Sequence, residues 1–307
     1  MFWKQNPALF GHVVQALTHV NEARAATPST TATRLVELQF HALNNLWTGL
    51  SDFQSAAGRA DTPSFIALLQ SIPVDVQEPI LKSQELASLA AFSPDVLDHD
   101  ILRRRDYRPG QVIVDTVARE ASERHRKLRT RLAEFQGGQV ASERVLKQLA
   151  EFLYVIRSNI AHGEKTPYGP DLEKRERDEA VSRATLPTLE IILDALLDQP
   201  SRKLVAYGSI RPDGANYRIL EGIVGKWTPC QVRGHVRENE GLILFQWDPA
   251  GAIIDAMFLE SPSLQDCWGR LDAFEGEWYR RTLVPVRVSD RDGVANVYQR
   301  SPLNGAG

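Results

Sequence analysis

"LLDQPSRKLVAYGSI", Leu196 to Ile210, is where the pattern of the chain changes. Upstream of it apolar residues recur at helical spacing. From Lys203 onward, short runs rich in β-branched and aromatic residues alternate with turns. "QPSRK" between the two patterns reads as a linker, which divides the chain into domains 1–199 and 200–307. The continuation, "AYGSIRPDGANYRIL" (Ala206 to Leu220), places a compact, Gly-punctuated polar loop directly after the first strand. Such a loop either holds a ligand or only turns a corner.

Working outward toward the N-terminus, "ATRLVELQFHALNNLWTGLSDFQ" carries Leu35, Leu38, Leu43, Leu46 and Leu50 at helical spacing. Further helices are expected near 8–26, 63–70, 78–91, 112–136, 141–161 and 172–198. Pro28, Pro63, Pro79, Pro94, Pro109 and Pro167 are expected to mark the breaks between them. Toward the C-terminus, "KLVAYGSI", "GIVGKWTPCQVRGHV", "GLILFQWD", "AIIDAMFLE", "RRTLVPVRVS" and "VANVYQR" read as strands. One helix interrupts them, "SPSLQDCWGRLDAF", with Ser261 or Ser263 as N-cap and Leu264, Trp268, Leu271 and Phe274 on one face. The expected fold is therefore multi-domain. An all-α helical bundle precedes a small α+β domain, a mixed sheet or partly closed barrel.

The 307 residues are 43% hydrophobic and 24% charged, with a net charge of -3, so whole-chain charge points to neither nucleic acid nor a membrane surface. The charge is uneven, with 14 Lys/Arg against 8 Asp/Glu between Ile101 and Lys165, densest in "RHRKLRTR" (Arg124 to Arg131). A solvated helix face accounts for this, and RNA contact is the sharper reading. The two cysteines, Cys230 and Cys267, have no ligand spacing around them, which argues against a disulfide framework or a zinc site. No stretch approaches the roughly 18 apolar residues of a spanning helix, and the start lacks a signal-peptide pattern. The expectation is a cytoplasmic protein with no membrane partner.

The C-terminal half resembles the gamma-glutamylcyclotransferase-like family. Three segments carry the likeness: Tyr207-Gly208-Ser209-Ile210-Arg211 followed by Asn216, the strand pair near 222–237, and "LDAFEGEWYRRTLVPV" (Leu271 to Val286). The last is similar to the family's Leu-Asp-x-x-Glu-Gly-x-x-Tyr-x-Arg pattern. The resemblance implies that a γ-glutamyl group sits beside the Tyr-Gly-Ser loop, whose backbone N–H groups from Gly208 to Ile210 hold its charged end. It implies Glu275 as the acid/base, Tyr207, Arg211 and Tyr279 as pocket residues, 5-oxoproline as product, and no metal or cofactor. Phe274, Trp278 and Tyr279 are expected to supply the apolar setting that raises the Glu275 pKa. The plainer reading makes Glu275-Gly276-Glu277 a surface helix end, with Gly276 as its cap. Asp255 stands where relatives usually carry a small Gly, a departure that either alters the pocket wall or is harmless.

"LYVIRSNIAHGEK", Leu153 to Lys165, resembles the signature of the all-helical HEPN domains, an Arg followed four to six residues later by a His. Here these are Arg157 and His162, after a helix with Leu146, Leu149, Leu153, Ile156 and Ile160 on its apolar face. The resemblance implies a domain covering about 35–198, a homodimer through it, and in many relatives metal-independent RNA cleavage. His would shuttle protons and Arg would steady phosphate charge. Three readings follow. The first is a cyclotransferase with a dimerising helical part. The second is an RNA-cutting protein of a stress or phage-defence system, with the C-terminal domain as sensor. The third is an interaction module in which both sites are degenerate.

Overall fold

β1, Lys203–Ala206, is buried along its whole length, and this follows from its place in the sheet. The computed structural model describes residues 1–55, 61–92, 112–161, 172–239 and 242–301. Five further strands join β1: β2 (Lys226–Asn239), β3 (Leu242–Trp247), β4 (Ala252–Glu260), β5 (Tyr279–Val288) and β6 (Arg291–Arg300). Their order is β3-β2-β4-β1-β6-β5, and a β2–β5 pairing closes the sheet on itself into a barrel. The β1–β6 pair is parallel, Val205 opposite Val297, and the other pairings are antiparallel.

Alternation sorts the strand residues between two cores. Val205, Val232, Phe245, Phe258, Val284 and Val297 belong to one cluster, and Leu204, Ala206, Leu259 and Tyr298 to the other. The second cluster includes Leu264, Trp268 and Leu271 from the helix Leu264–Glu275. Strand β1 thus has apolar partners on both faces, which is why it reads as a continuous apolar run. Ser263 is the N-cap residue of that helix, but Ser261 Oγ does the bonding: it accepts from Ser263 N at 3.2 Å and donates to Val224 O at 2.6 Å. Phe274 departs from the expected apolar face and is 44% exposed.

The chain falls into two compact units that a single cut does not separate. One comprises Met1–Phe2 and Ala25–Leu196, the other Trp3–Arg24 and Leu197–Gly307. A short first helix, α1 (Phe2–Gln5), precedes α2 (Phe10–Arg24). The sequence reading puts α2 with the helices that follow it, whereas its contacts are with β5. Asn21 explains the attachment. Its Nδ2 donates to Leu283 O at 2.7 Å and its Oδ1 accepts from Leu283 N at 2.8 Å, so one side chain stands in for a neighbouring strand. Arg24 adds a bond to the buried Asn296 Oδ1 at 2.8 Å, and Val13, Ala16 and Leu17 are fully buried.

The helical unit contains α3 (Ala32–Phe53), α4 (Asp61–Gln70), α5 (Val74–Leu81), α6 (Gln84–Ala90), α7 (Val112–Gln136), α8 (Ser142–Ala161) and α9 (Leu172–Leu196). The single helix expected over 78–91 is two, because Ser83 caps a new start by accepting from Leu86 N. Pro63 and Pro79 lie inside α4 and α5 rather than between helices. Pro63 is in a first turn, where the missing N–H has no intrahelical partner to lose. α3 packs along α9, and Glu179 ties them by accepting from Ala32 N and Thr33 N. Leu146, Leu149, Leu153 and Ile156 of α8 are buried as their spacing predicts.

Candidate functional site

The loop after β1 is held in shape by its own hydrogen bonds. Arg211-Pro212-Asp213-Gly214 closes as a turn, with Gly214 N donating to Arg211 O at 2.8 Å, and Pro in second position pre-sets its backbone. Asn216 clamps the result: its N donates to Ser209 O at 2.8 Å and its Nδ2 to Ser209 Oγ at 3.0 Å. A Cβ on Gly214 would lie 2.1 Å from Ser209 O, so only glycine lets the two strands of the loop approach this closely. Gly214→Ala is therefore expected to spread the loop and to raise Kd for any ligand held there by about tenfold or more, roughly the cost of one lost hydrogen bond. Titration calorimetry of wild type and variant checks this, and equal affinities would show that the loop shape is not needed.

That loop forms one wall of a cavity of about 510 Å³. Tyr207, Gly208, Ser209, Ile210 and Arg211 line it from the loop, Glu275 and Tyr279 from the third segment, and Ile243 and Tyr298 from β3 and β6. The Tyr-Gly-Ser loop and Glu275, 68 positions apart counting from Tyr207, thus face one space. The N–H groups of Gly208, Ser209 and Ile210 have no acceptor among the described residues. Consecutive N–H groups in a turn form a concavity suited to an anion. Arg211 also lines the cavity, but its guanidinium is engaged by Asp213 through bonds of 3.0 and 2.5 Å.

Glu275 is the last residue of its helix, and Gly276, at φ 61, ends that helix. The residue is therefore both a helix end, as the plainer reading has it, and a cavity wall. Burial pushes its carboxyl up to about 7, and the nearby negative charge of Asp272 adds to the effect. Phe274 and Trp278 do not supply the apolar setting, since they are 44% and 54% exposed. The enclosing aromatics are Tyr207, Tyr279 and Tyr298. Burial holds the hydroxyls of all three above their ordinary range, so they stay neutral. Their protons are already committed: Tyr207 donates to Tyr298 O at 2.8 Å, Tyr279 to Ile243 O at 3.2 Å, and Tyr298 to Asp272 Oδ1 at 2.7 Å. Asp255 is exposed, accepts from Gln231 Nε2 at 3.2 Å, and does not line this cavity.

The raised Glu275 pKa has a sign. The folded state keeps a proton on Glu275 up to about pH 7, whereas the unfolded chain loses it near 4.3. Folding stability therefore falls as pH rises through that window. Solvent screening at this half-buried position leaves an effect of about 1 kcal/mol. Glu275→Gln is expected to melt with wild type at pH 4.5 and roughly 2–4 °C above it at pH 8. Calorimetric scans at the two pH values read this directly, and a constant difference between the proteins would rule it out.

In the helical unit, Arg157 stacks over Tyr154 with its Cζ 5.5 Å from the ring centroid, and lies 3.7 Å from Asp61. His162 lies outside the described residues, as do 101–111 of the basic stretch. In "RHRKLRTR", Lys127 pairs with Glu123 at 2.6 Å and Arg131 with Glu134 at 2.5 Å, while His125 is buried against Phe152. Two of the five cations of that stretch thus form local pairs along α7. Among the described residues no His, Cys, Asp and Glu cluster is placed to hold a metal, and no helix is long and apolar enough to cross a membrane.

No family model matches the chain, and no curated protein matches it. Two solved structures are similar to part of it. YkqA from Bacillus subtilis is 20% identical, the likeness covering 33% of this chain and 36% of YkqA, with a TM-score of 0.28. At3g28950.1 from Arabidopsis thaliana, a solution structure, is 19% identical, covering 32% of this chain and 61% of that one, with a TM-score of 0.26. The matched part spans less than two thirds of either protein.

Proposed function

We propose that the barrel unit is a gamma-glutamylcyclotransferase-like enzyme, which releases 5-oxoproline from a γ-glutamyl amine. The observation that carries this reading is the placement of Glu275: a half-buried carboxyl, pushed up to about 7 by that burial, in one cavity with the acceptor-free N–H groups of Gly208 to Ile210. The substrate's α-carboxylate sits against those N–H groups. The Glu275 carboxylate takes a proton from the α-ammonium, and the freed amine attacks the γ-carbonyl carbon. The tetrahedral adduct collapses as Glu275 gives that proton to the departing nitrogen and the γ C–N bond breaks; the regenerated carboxylate then takes the second proton from the ring nitrogen and passes it to the released amine, which leaves as an ammonium. Atoms balance without water, and one group serves as base and then acid because its pKa lies near the working pH. Ring closure is intramolecular, so the cavity walls of Tyr207 and Tyr279 contribute by holding the chain bent.

The test is 5-oxoproline release from a panel of γ-glutamyl amines and peptides by the full chain. Release from none of them sinks the reading. For the helical unit, RNA cleavage through Arg157 and His162 has no observation in its favour, because Arg157 is engaged by Asp61 and His162 lies outside the described residues.

A further inference from the structure

We propose that Asp272 is a positioning residue for this chemistry: clamped by Tyr298 and Arg281, it holds a negative charge one helical turn from Glu275 and, on top of burial, tunes the pH range over which Glu275 exchanges its proton. The inference rests on the cyclotransfer reading for its catalytic meaning, though not for its electrostatics. Asp272 and Glu275 are three residues apart on one helix, a spacing that puts their Cβ atoms about 5–6 Å apart. Both Asp272 oxygens are occupied. Oδ1 accepts from the Tyr298 hydroxyl at 2.7 Å, and Oδ2 lies 3.2 Å from Arg281 Nη2. Arg281 is itself fixed, its Cζ 4.4 Å from the centroid of the buried Trp268 ring. A carboxylate held on both sides cannot swing into the cavity as a second base. It can act on Glu275 only through its charge and by anchoring Tyr298, a cavity wall.

Titratable groups stand near Glu275 on several elements, and the acidic Glu277 follows it by two residues in the next turn. From its own helix there is Asp272. From β5 there are Tyr279 and, through Asp272, Arg281. From β6 comes Tyr298, and from the loop after β1 come Tyr207 and the Arg211–Asp213 pair. The tyrosines are neutral and the loop pair cancels itself. Burial supplies the larger part of the resistance of Glu275 to ionising, and the balance between Asp272 and Arg281 adjusts it from there. The two residues should act with opposite sign. Removing the Asp272 charge eases ionisation of Glu275, and removing Arg281 leaves Asp272 unopposed and hinders it.

The experiment is a pH titration of the Glu275 carboxyl carbon by NMR in the full chain, for wild type, Asp272→Asn and Arg281→Met, alongside kcat/KM against pH. Asn keeps the shape of Asp, and Met keeps an apolar stem over Trp268. The midpoint should fall by about half to one pH unit in Asp272→Asn and rise by about half a unit in Arg281→Met, at surface-like screening. The acid limb of kcat/KM should move with it. Unmoved midpoints in either folded variant overturn the proposal, whatever the turnover. Midpoints that move as stated, in a protein that turns over no γ-glutamyl amine, support the proposal's electrostatics while sinking the cyclotransfer reading.

Discussion

Glu275→Gln is expected to lower kcat for 5-oxoproline release by about 10²–10⁴-fold, the range for loss of a positioned acid/base. Gln keeps the length and most of the hydrogen-bonding surface of Glu, so the cavity and the loop at Gly208 to Ile210 should persist. KM should therefore change by less than about threefold, because the γ-glutamyl carboxylate is held by backbone N–H groups that the substitution does not touch. Wild-type kcat/KM should climb with pH around a midpoint near 7, as Glu275 must be ionised to accept the ammonium proton. Chromatographic quantitation of 5-oxoproline across pH 5.5–8.5 measures both. A variant that retains a tenth of wild-type kcat would remove Glu275 from the chemistry and leave it as a helix terminus.

How much of this site the sequence discloses depends on how far apart its parts are paired. Glu275 and the Tyr-Gly-Ser loop were readable because each is a local pattern. Tyr298 and Ile243 were not, since they enter the cavity through strand pairing. The parallel β1–β6 ladder sets Leu204 opposite Asn296, and that register brings the Tyr298 carbonyl to the Tyr207 hydroxyl. No local periodicity encodes such a pairing. Phe274 shows the converse error. Its spacing from Leu271 suits the buried face, yet it sits in the last turn beside the Gly276 cap and is 44% exposed. The split of 78–91 has a readable signal in Ser83, a capping residue in mid-run. The attachment of α2 had no signal. Amphipathic spacing says that one face of a helix is buried, and it does not say against what.

That attachment gives the second large effect. A chain lacking residues 1–24 should lose the cooperative melting of its barrel, though the boundary "QPSRK" suggests that residues 200–307 are self-contained. Val13, Leu17 and Val20 are each at least 93% buried, and at about 1.5–3 kcal/mol apiece their loss removes roughly 4.5–9 kcal/mol. That is comparable with the whole stability of an ordinary domain, about 5–15 kcal/mol. It also uncovers β5 on the side away from β6. There β2 reaches only Val286–Val288, and Asn21 otherwise satisfies Leu283. The narrower change Asn21→Leu keeps the helix but leaves the Leu283 N–H and C=O without their partner, at roughly 2–4 kcal/mol. Near-ultraviolet dichroism follows the packed aromatics, and far-ultraviolet dichroism at 222 nm follows the helices. The first signal should melt lower in Asn21→Leu and flatten in the truncated chain, while the helical unit's transition stays in place. A barrel transition within about 2 °C of wild type after truncation would mean that α2 lies on the barrel without holding it. The free β5 edge would then need another account.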